Sequence, residues 1–97
     1  MDARETDLKT EVQRIARYYG WKIYSATWGQ VGRVQRGAKG YPDLTLARRG
    51  VTIWLELKKE GEKPTPEQVE WGDAIGSRWF VIYPHDLQSG LLETLLR

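Results

Sequence analysis

Two acidic residues, Asp43 and Glu56, stand thirteen positions apart in stretches suited to lie side by side. Asp43 belongs to Gly40-Tyr41-Pro42-Asp43-Leu44. Glu56 belongs to Leu55-Glu56-Leu57-Lys58, at the end of an apolar run. The stretch from Leu44 to Ile53 reads as two β-strands joined by a tight turn at Arg49-Gly50. A turn centred there sets Asp43 directly opposite Glu56, with Cβ atoms roughly 5 Å apart. Lys58 lies two residues beyond Glu56 and therefore projects from the same strand face. Adjacent carboxylates repel unless a cation lies between them. A neighbouring lysine then stabilises an anion held at that cation. Such a layout suits divalent-metal hydrolysis of a phosphodiester.

The rest of the composition narrows that chemistry. Ninety-seven residues make one domain, 1–97, with a modest core. Hydrophobic residues at 40% and charged residues at 29% are the balance of a soluble globular protein. No run of apolar residues is long enough to span a membrane. The N-terminus carries no apolar signal core and the chain has no cysteine, so the cytosol is the expected compartment. Zero Cys and one His exclude zinc fingers, two-His zinc hydrolases and His-pair nucleases. A cation must then be held by carboxylates, which favours magnesium or manganese. The net charge of +2 makes any nucleic-acid footprint a local one.

The elements that position these residues follow from periodicity. From about Ala3 to Tyr19, Leu8, Val12, Ile15, Ala16 and Tyr19 share one helical face. Asp2 and Glu5 offer an N-terminal cap and Gly20 a stop. Glu11 falls about 40° from Ile15 on the helical wheel, at the edge of the buried face. Trp21 to Thr27 alternates as a first strand. Trp28 to Gly40 is a glycine-rich basic loop without an acid, with short strand pieces expected around Val31 and Val34. The Asp43/Glu56 hairpin follows, its start kept extended by Tyr41-Pro42. Thr65-Pro66-Glu67-Gln68 starts a helix with a Thr cap, Pro at the first position and Gln at the third. That helix ends at Gly76. Trp79 to Tyr83 reads as a buried strand broken by Pro84. Leu87, Leu91, Leu92, Leu95 and Leu96 indicate a last amphipathic helix. The expected class is α/β, a mixed sheet flanked by helices, in the order αβββαβ with a C-terminal helix.

On these residues the chain resembles the PD-(D/E)xK nuclease superfamily, and more closely its virus-type replication-repair nuclease (VRR-NUC) family. The carriers are Glu11 on the first helix, the Gly40 to Leu44 block, Glu56 with Lys58, and Gln68 followed by Trp71. The resemblance runs from Glu11 to about Tyr83. It implies a restriction-endonuclease-like core and a small phage- or virus-type enzyme acting in the host cytoplasm. It also implies a homodimer working on branched DNA such as four-way (Holliday) junctions.

The resemblance implies a role for each residue, and each has a plainer alternative. Asp43 and Glu56 bind the metal; alternatively they are a strand-start Asp and a solvent-face strand residue. Lys58 sits by the attacking water or the developing phosphorane charge, or is a surface lysine. Lys59 points to the other face and is solvated. Glu11 completes the metal shell, or pairs with Arg14 or Arg4 on its own helix. Gln68 positions water, or is the third residue of a capping box. The glycine-rich basic loop itself, not the resemblance, suggests that Arg33, Arg36 and Lys39 contact phosphates; the alternative is a merely soluble mobile loop. Gly32 to Lys39 only superficially matches a phosphate-binding P-loop, because no Ser or Thr follows Lys39. Most of the five Trp and five Tyr belong in the core, with some available for a twofold interface or for base stacking. His85 is expected in a surface loop, inert. The expected function is a magnesium- or manganese-dependent endodeoxyribonuclease selective for DNA structure. The alternatives are a flap or nicking nuclease without junction preference, and a non-catalytic DNA-binding module.

Overall fold

A computed structural model describes residues 5–26 and 38–97, with the side chains of Glu5 and Thr6 left aside. Among the described residues eight elements follow one another: α1 (Glu5–Tyr18), β1 (Lys22–Ser25), β2 (Leu44–Arg48), β3 (Val51–Leu57), α2 (Pro66–Ile75), β4 (Trp79–Ile82), α3 (Pro84–Gln88) and α4 (Leu91–Leu96). The strands form one mixed sheet in the order β1-β2-β3-β4. β1 to β3 are an antiparallel meander, and β4 joins β3 in parallel after the α2 crossover. The fold is therefore α/β, a four-stranded mixed sheet flanked by helices.

One sheet face carries the core. Leu8, Val12 and Ala16 of α1 meet Leu44, Leu46, Ile53, Leu55 and Leu57 of the hairpin and Leu92 and Leu96 of α4. The i, i+4, i+8 spacing in α1 puts its three core residues in one stripe. Arg49 (φ 53°) and Gly50 (φ 80°) both adopt left-handed backbone between β2 and β3. Two successive positive φ values make the two-residue turn whose twist matches a β-hairpin. Thr65 caps α2 as read: its side chain accepts the Gln68 N–H, and the Gln68 side chain accepts the Thr65 N–H.

Several expectations need correction. β1 is shorter than Trp21 to Thr27; Trp21 precedes it, and Thr27 lies outside the described residues. The strand pieces around Val31 and Val34, and the Asp2 cap, also lie outside them. β4 is an edge strand rather than a buried one. Only Ile82 is buried there, because β4 has a single neighbour among the described strands. The last helix is split into α3 and α4 at Gly90, whose left-handed backbone (φ 83°) interrupts it. Pro84 ends β4 but also opens α3, where a missing N–H is no loss. The aromatic residues are less central than expected. Trp21 is the buried tryptophan of the described core, whereas Tyr18 and Tyr24 are exposed.

Candidate functional site

The pairing of β2 with β3 runs without slip from Arg48 opposite Val51 to Leu44 opposite Leu55. The next positions in this register are Asp43 and Glu56. Asp43 stands one residue outside β2, yet its backbone still follows the sheet: its carbonyl accepts the Ala26 N–H at 3.0 Å. Its carboxylate crosses to β3, where Oδ2 accepts the Leu57 N–H at 2.8 Å. That N–H points toward β2, where the ladder would next need a partner from Pro42. Asp43 therefore closes the ladder as it positions its acid. The bond occupies one carboxylate oxygen and leaves acceptor capacity on the other.

Glu56 alternates with Leu55 and Leu57, so it leaves the sheet on the face opposite the core, beside Trp54. It is 1% exposed, and Lys58 on the same face is 8% exposed. Two acids and a lysine thus gather at one end of the hairpin, with Glu56 and Lys58 withdrawn from water. Burial of charge is costly unless paired or ligated, so a solvent-face strand residue is not the description of Glu56. Lys59 lies beyond β3 and is exposed, as read.

The Gly40 to Leu44 block earns its residue types one by one. A Cβ on Gly40 would lie 2.6 Å from the Glu67 backbone, so only glycine lets the chain pass under the first turn of α2. The Tyr41 ring meets the Trp71 ring edge-on, with centroids 5.0 Å apart, and its hydroxyl accepts the Trp54 Nε1–H at 3.0 Å. Pro42 and Leu44 are buried. Tyr41 thus ties α2 to the sheet beside Asp43, a function that the sequence signalled only as an aromatic before proline. At the far end of α2, Gly72 lies against the Trp79 ring, where a Cβ would come within 2.5 Å.

The remaining candidates are placed as follows. Glu11 stands in α1, at the border between the buried and exposed faces. Its Oε1 accepts Arg14 Nη2–H at 2.9 Å, and this hydrogen bond, with the Arg14 charge, holds its carboxyl below the usual carboxylate range. The alternative pairing with Arg14 is thus the one present. α1 runs antiparallel to β1, with its C-terminal end at the turn: Arg48 donates to the Tyr19 carbonyl at 2.8 Å. Glu11 lies at the middle of α1. Gln68 Oε1 is engaged on the Thr65 N–H at 2.8 Å, which is its capping task. Lys39 is exposed and pairs with Glu67 across 3.7 Å. Arg33 and Arg36 lie outside the described residues. Among the described residues no three His, Cys, Asp or Glu side chains are grouped closely enough to hold a metal together.

His85 departs from its expected place. It lies in α3, not a loop, and its ring stacks on Tyr83 with centroids 5.4 Å apart. Glu60 accepts both the His85 backbone N–H and a ring hydrogen bond at Nδ1, each at 2.7 Å. The hydrogen bond to Glu60 raises the His85 pKa; burial opposes it, and the Asp86 and Glu60 charges add smaller upward contributions.

No helix among the described residues is long and apolar enough to cross a membrane. In comparisons with known proteins, the chain matches no family model, no curated protein and no solved structure.

Proposed function

We propose that this chain is a metal-dependent endodeoxyribonuclease with a restriction-endonuclease-like core, of the PD-(D/E)xK superfamily and its VRR-NUC branch. The observation that carries the reading is the placement of Asp43 and Glu56 opposite each other, at the position next after the Leu44–Leu55 pair, with Lys58 on the same buried face. The donor set fits the cation. Magnesium is commonly held by one or two carboxylates, with water and substrate phosphate completing its shell, so two facing acids suffice. Manganese accepts the same oxygen ligands.

When bound, the metal polarises the scissile phosphate and lowers the pKa of a water. Asp43 and Glu56 fix where that charge sits. The Leu57 N–H on Oδ2 holds the Asp43 carboxylate in place for this. Lys58 places a cation by the phosphoryl oxygens, where negative charge grows as water adds and the bond to the leaving oxygen breaks. The products are a 5′-phosphate and a 3′-hydroxyl. Glu11 joins only when it leaves Arg14. Gln68 serves the α2 cap. A homodimer would present two such sites to two strands, which suits a four-way junction, and the setting for that work is the host cytoplasm.

The test is cleavage of matched linear, flap and four-way-junction DNA, with and without manganese, by wild type and Glu56→Gln. Metal-dependent cutting lost in the variant supports the reading, and the substrate ranking separates a junction resolvase from a flap or nicking nuclease. Folded wild-type protein that cuts nothing would instead favour a non-catalytic DNA-binding module.

A further inference from the structure

The sheet face that carries Asp43 and Glu56 continues toward the Arg49-Gly50 turn. The register sets Tyr24 opposite Thr45 and Lys22 opposite Ala47, so these two β1 side chains share that face. Tyr24 is 64% exposed, a large ring with no place in the core. Lys22 and Arg49 are exposed, and among the described residues neither is held in an ion pair. Both line an open cleft of about 380 Å³ at the turn edge of the sheet, together with Tyr19, Gly20, Ala47 and Arg48. No acid lines it.

Arg49 adds a second observation. Its φ of 53° places a non-glycine residue in the left-handed region, at a turn position where glycine or asparagine is favoured. An arginine there gives up some backbone stability, and its exposed guanidinium forms no ion pair among the described residues that would offset this. Such residues concentrate where a side chain serves a ligand.

We infer that Lys22, Tyr24 and Arg49 form a docking strip for DNA leading from the turn to the candidate site. The two cations take backbone phosphates. The Tyr24 ring, between them and Asp43, stacks on an unpaired base. This gives the chain a physical reason to prefer branched or gapped DNA, because a fully paired duplex offers no such base. The strip spans six residues of strand from Asp43 to Arg49, roughly 20 Å, which matches about six base-pair steps along a duplex. The inference deepens the nuclease reading and rests on it for the position of the scissile phosphate, but the binding it requires can be measured alone.

The experiment is an anisotropy titration of labelled DNA in the presence of chelator, so that cutting does not interfere. The probes are a 20-base-pair duplex and the same duplex carrying a short single-stranded gap. A Lys22→Ala/Arg49→Gly double variant is expected to bind both about tenfold more weakly, with a salt dependence shallower by about two counterions. Its melting temperature should be equal or higher, because glycine suits the turn better than arginine. Tyr24→Ala should lose about fivefold or more on the gapped DNA and little on the duplex. Wild-type affinity and salt slope in the double variant would overturn the strip, as would failure of the wild-type protein to bind DNA. Equal loss on both DNAs in Tyr24→Ala would overturn the stacking role. The nuclease reading fails separately: if the variants lose binding as stated and wild type with manganese cuts nothing, the strip stands and the nuclease does not.

Discussion

At the turn end of the β2–β3 hairpin, Arg48 donates to the carbonyls of Tyr19, Leu96 and Arg97 and lies over the Trp21 ring at 4.2 Å. Trp21 Nε1 donates to the same Leu96 carbonyl at 2.8 Å. The guanidinium therefore closes the C-terminal ends of α1 and α4, where carbonyls have no partners inside their helices. At the open end, Asp43, Glu56 and Lys58 occupy one face, two of them buried. The visible bond there, from Leu57 N–H to Asp43, ties down one acid and leaves capacity on it. Both ends hold polar side chains at the border of the same sheet. Arg48 has a set of partners that explains it as a structural device. The acids stand opposite each other on a half-buried face, a meeting of like charges that a cation between them would relieve. Arg48 is explained by the backbone carbonyls it closes, and the acid pair by the charge it brings together.

The sharpest way to break this comparison is Glu56→Gln. A neutral amide of the same shape keeps the volume at this buried position and removes the charge that would hold a cation, so the protein should still fold. Metal-dependent cleavage should fall by at least about a hundredfold. Paired melting and cleavage curves decide it. A variant that unfolds but still cuts in proportion to its folded fraction would place Glu56 in the same class as Arg48.

Gly40→Ala should cost about 3 kcal/mol or more, because the added carbon meets the Glu67 backbone at 2.6 Å and the residue has a φ of +85°. Gly50→Ala meets nothing within 4 Å and should cost only about 1 kcal/mol for its left-handed backbone. Denaturant titrations of the two variants measure how firmly the open end clamps α2, and equal losses would remove that clamp. Arg48→Met keeps an apolar stem over Trp21 and removes the donors. It should cost about 2 kcal/mol, with cleavage per folded molecule unchanged. A loss of turnover in folded protein would give the turn end a part in the chemistry.

The hairpin was legible in the sequence because its register rests on one turn. Arg49-Gly50 fixed the alignment, and alignment alone brings Asp43 to Glu56. The α2 start was equally legible, since Thr65 and Gln68 bond each other locally. What escaped the sequence depends on contacts across the fold. Nothing local shows that Arg48 closes two helix ends, because its partners lie 29 to 49 residues away. Trp79 to Ile82 looks buried by composition, but its exposure depends on its being an edge strand. The break at Gly90 was readable from a glycine between Leu87 and the leucines from Leu91 onward, and the helical spacing of those leucines concealed it. Glu11 was placed correctly on its helix, while the direction of its carboxylate was decided by Arg14 three residues on.

The smallest expected effect concerns His85, which ties the loop after Lys58 to α3. Glu60 faces it from that loop and Asp86 from its own helix, with the Tyr83 ring stacked alongside. Both acids favour the protonated ring, so the folded pKa lies above the ordinary value of 6.5. The sign follows from that direction. The stabilisation is fully present below the unfolded pKa and is lost as pH rises through the higher folded value. The backbone bond from His85 N–H to Glu60 persists throughout that range, so the loop stays attached and only the contribution of the ring changes. His85→Gln keeps that backbone donor and removes the titration. Denaturation midpoints of wild type and variant should therefore differ most near about pH 5 and converge by about pH 9. A difference that is constant, or that widens as pH rises, would mean that the ring contributes through its stack on Tyr83 rather than through its charge. Because the tie lies beyond Lys58 and outside the acid pair, cleavage at neutral pH should be nearly the same in both proteins.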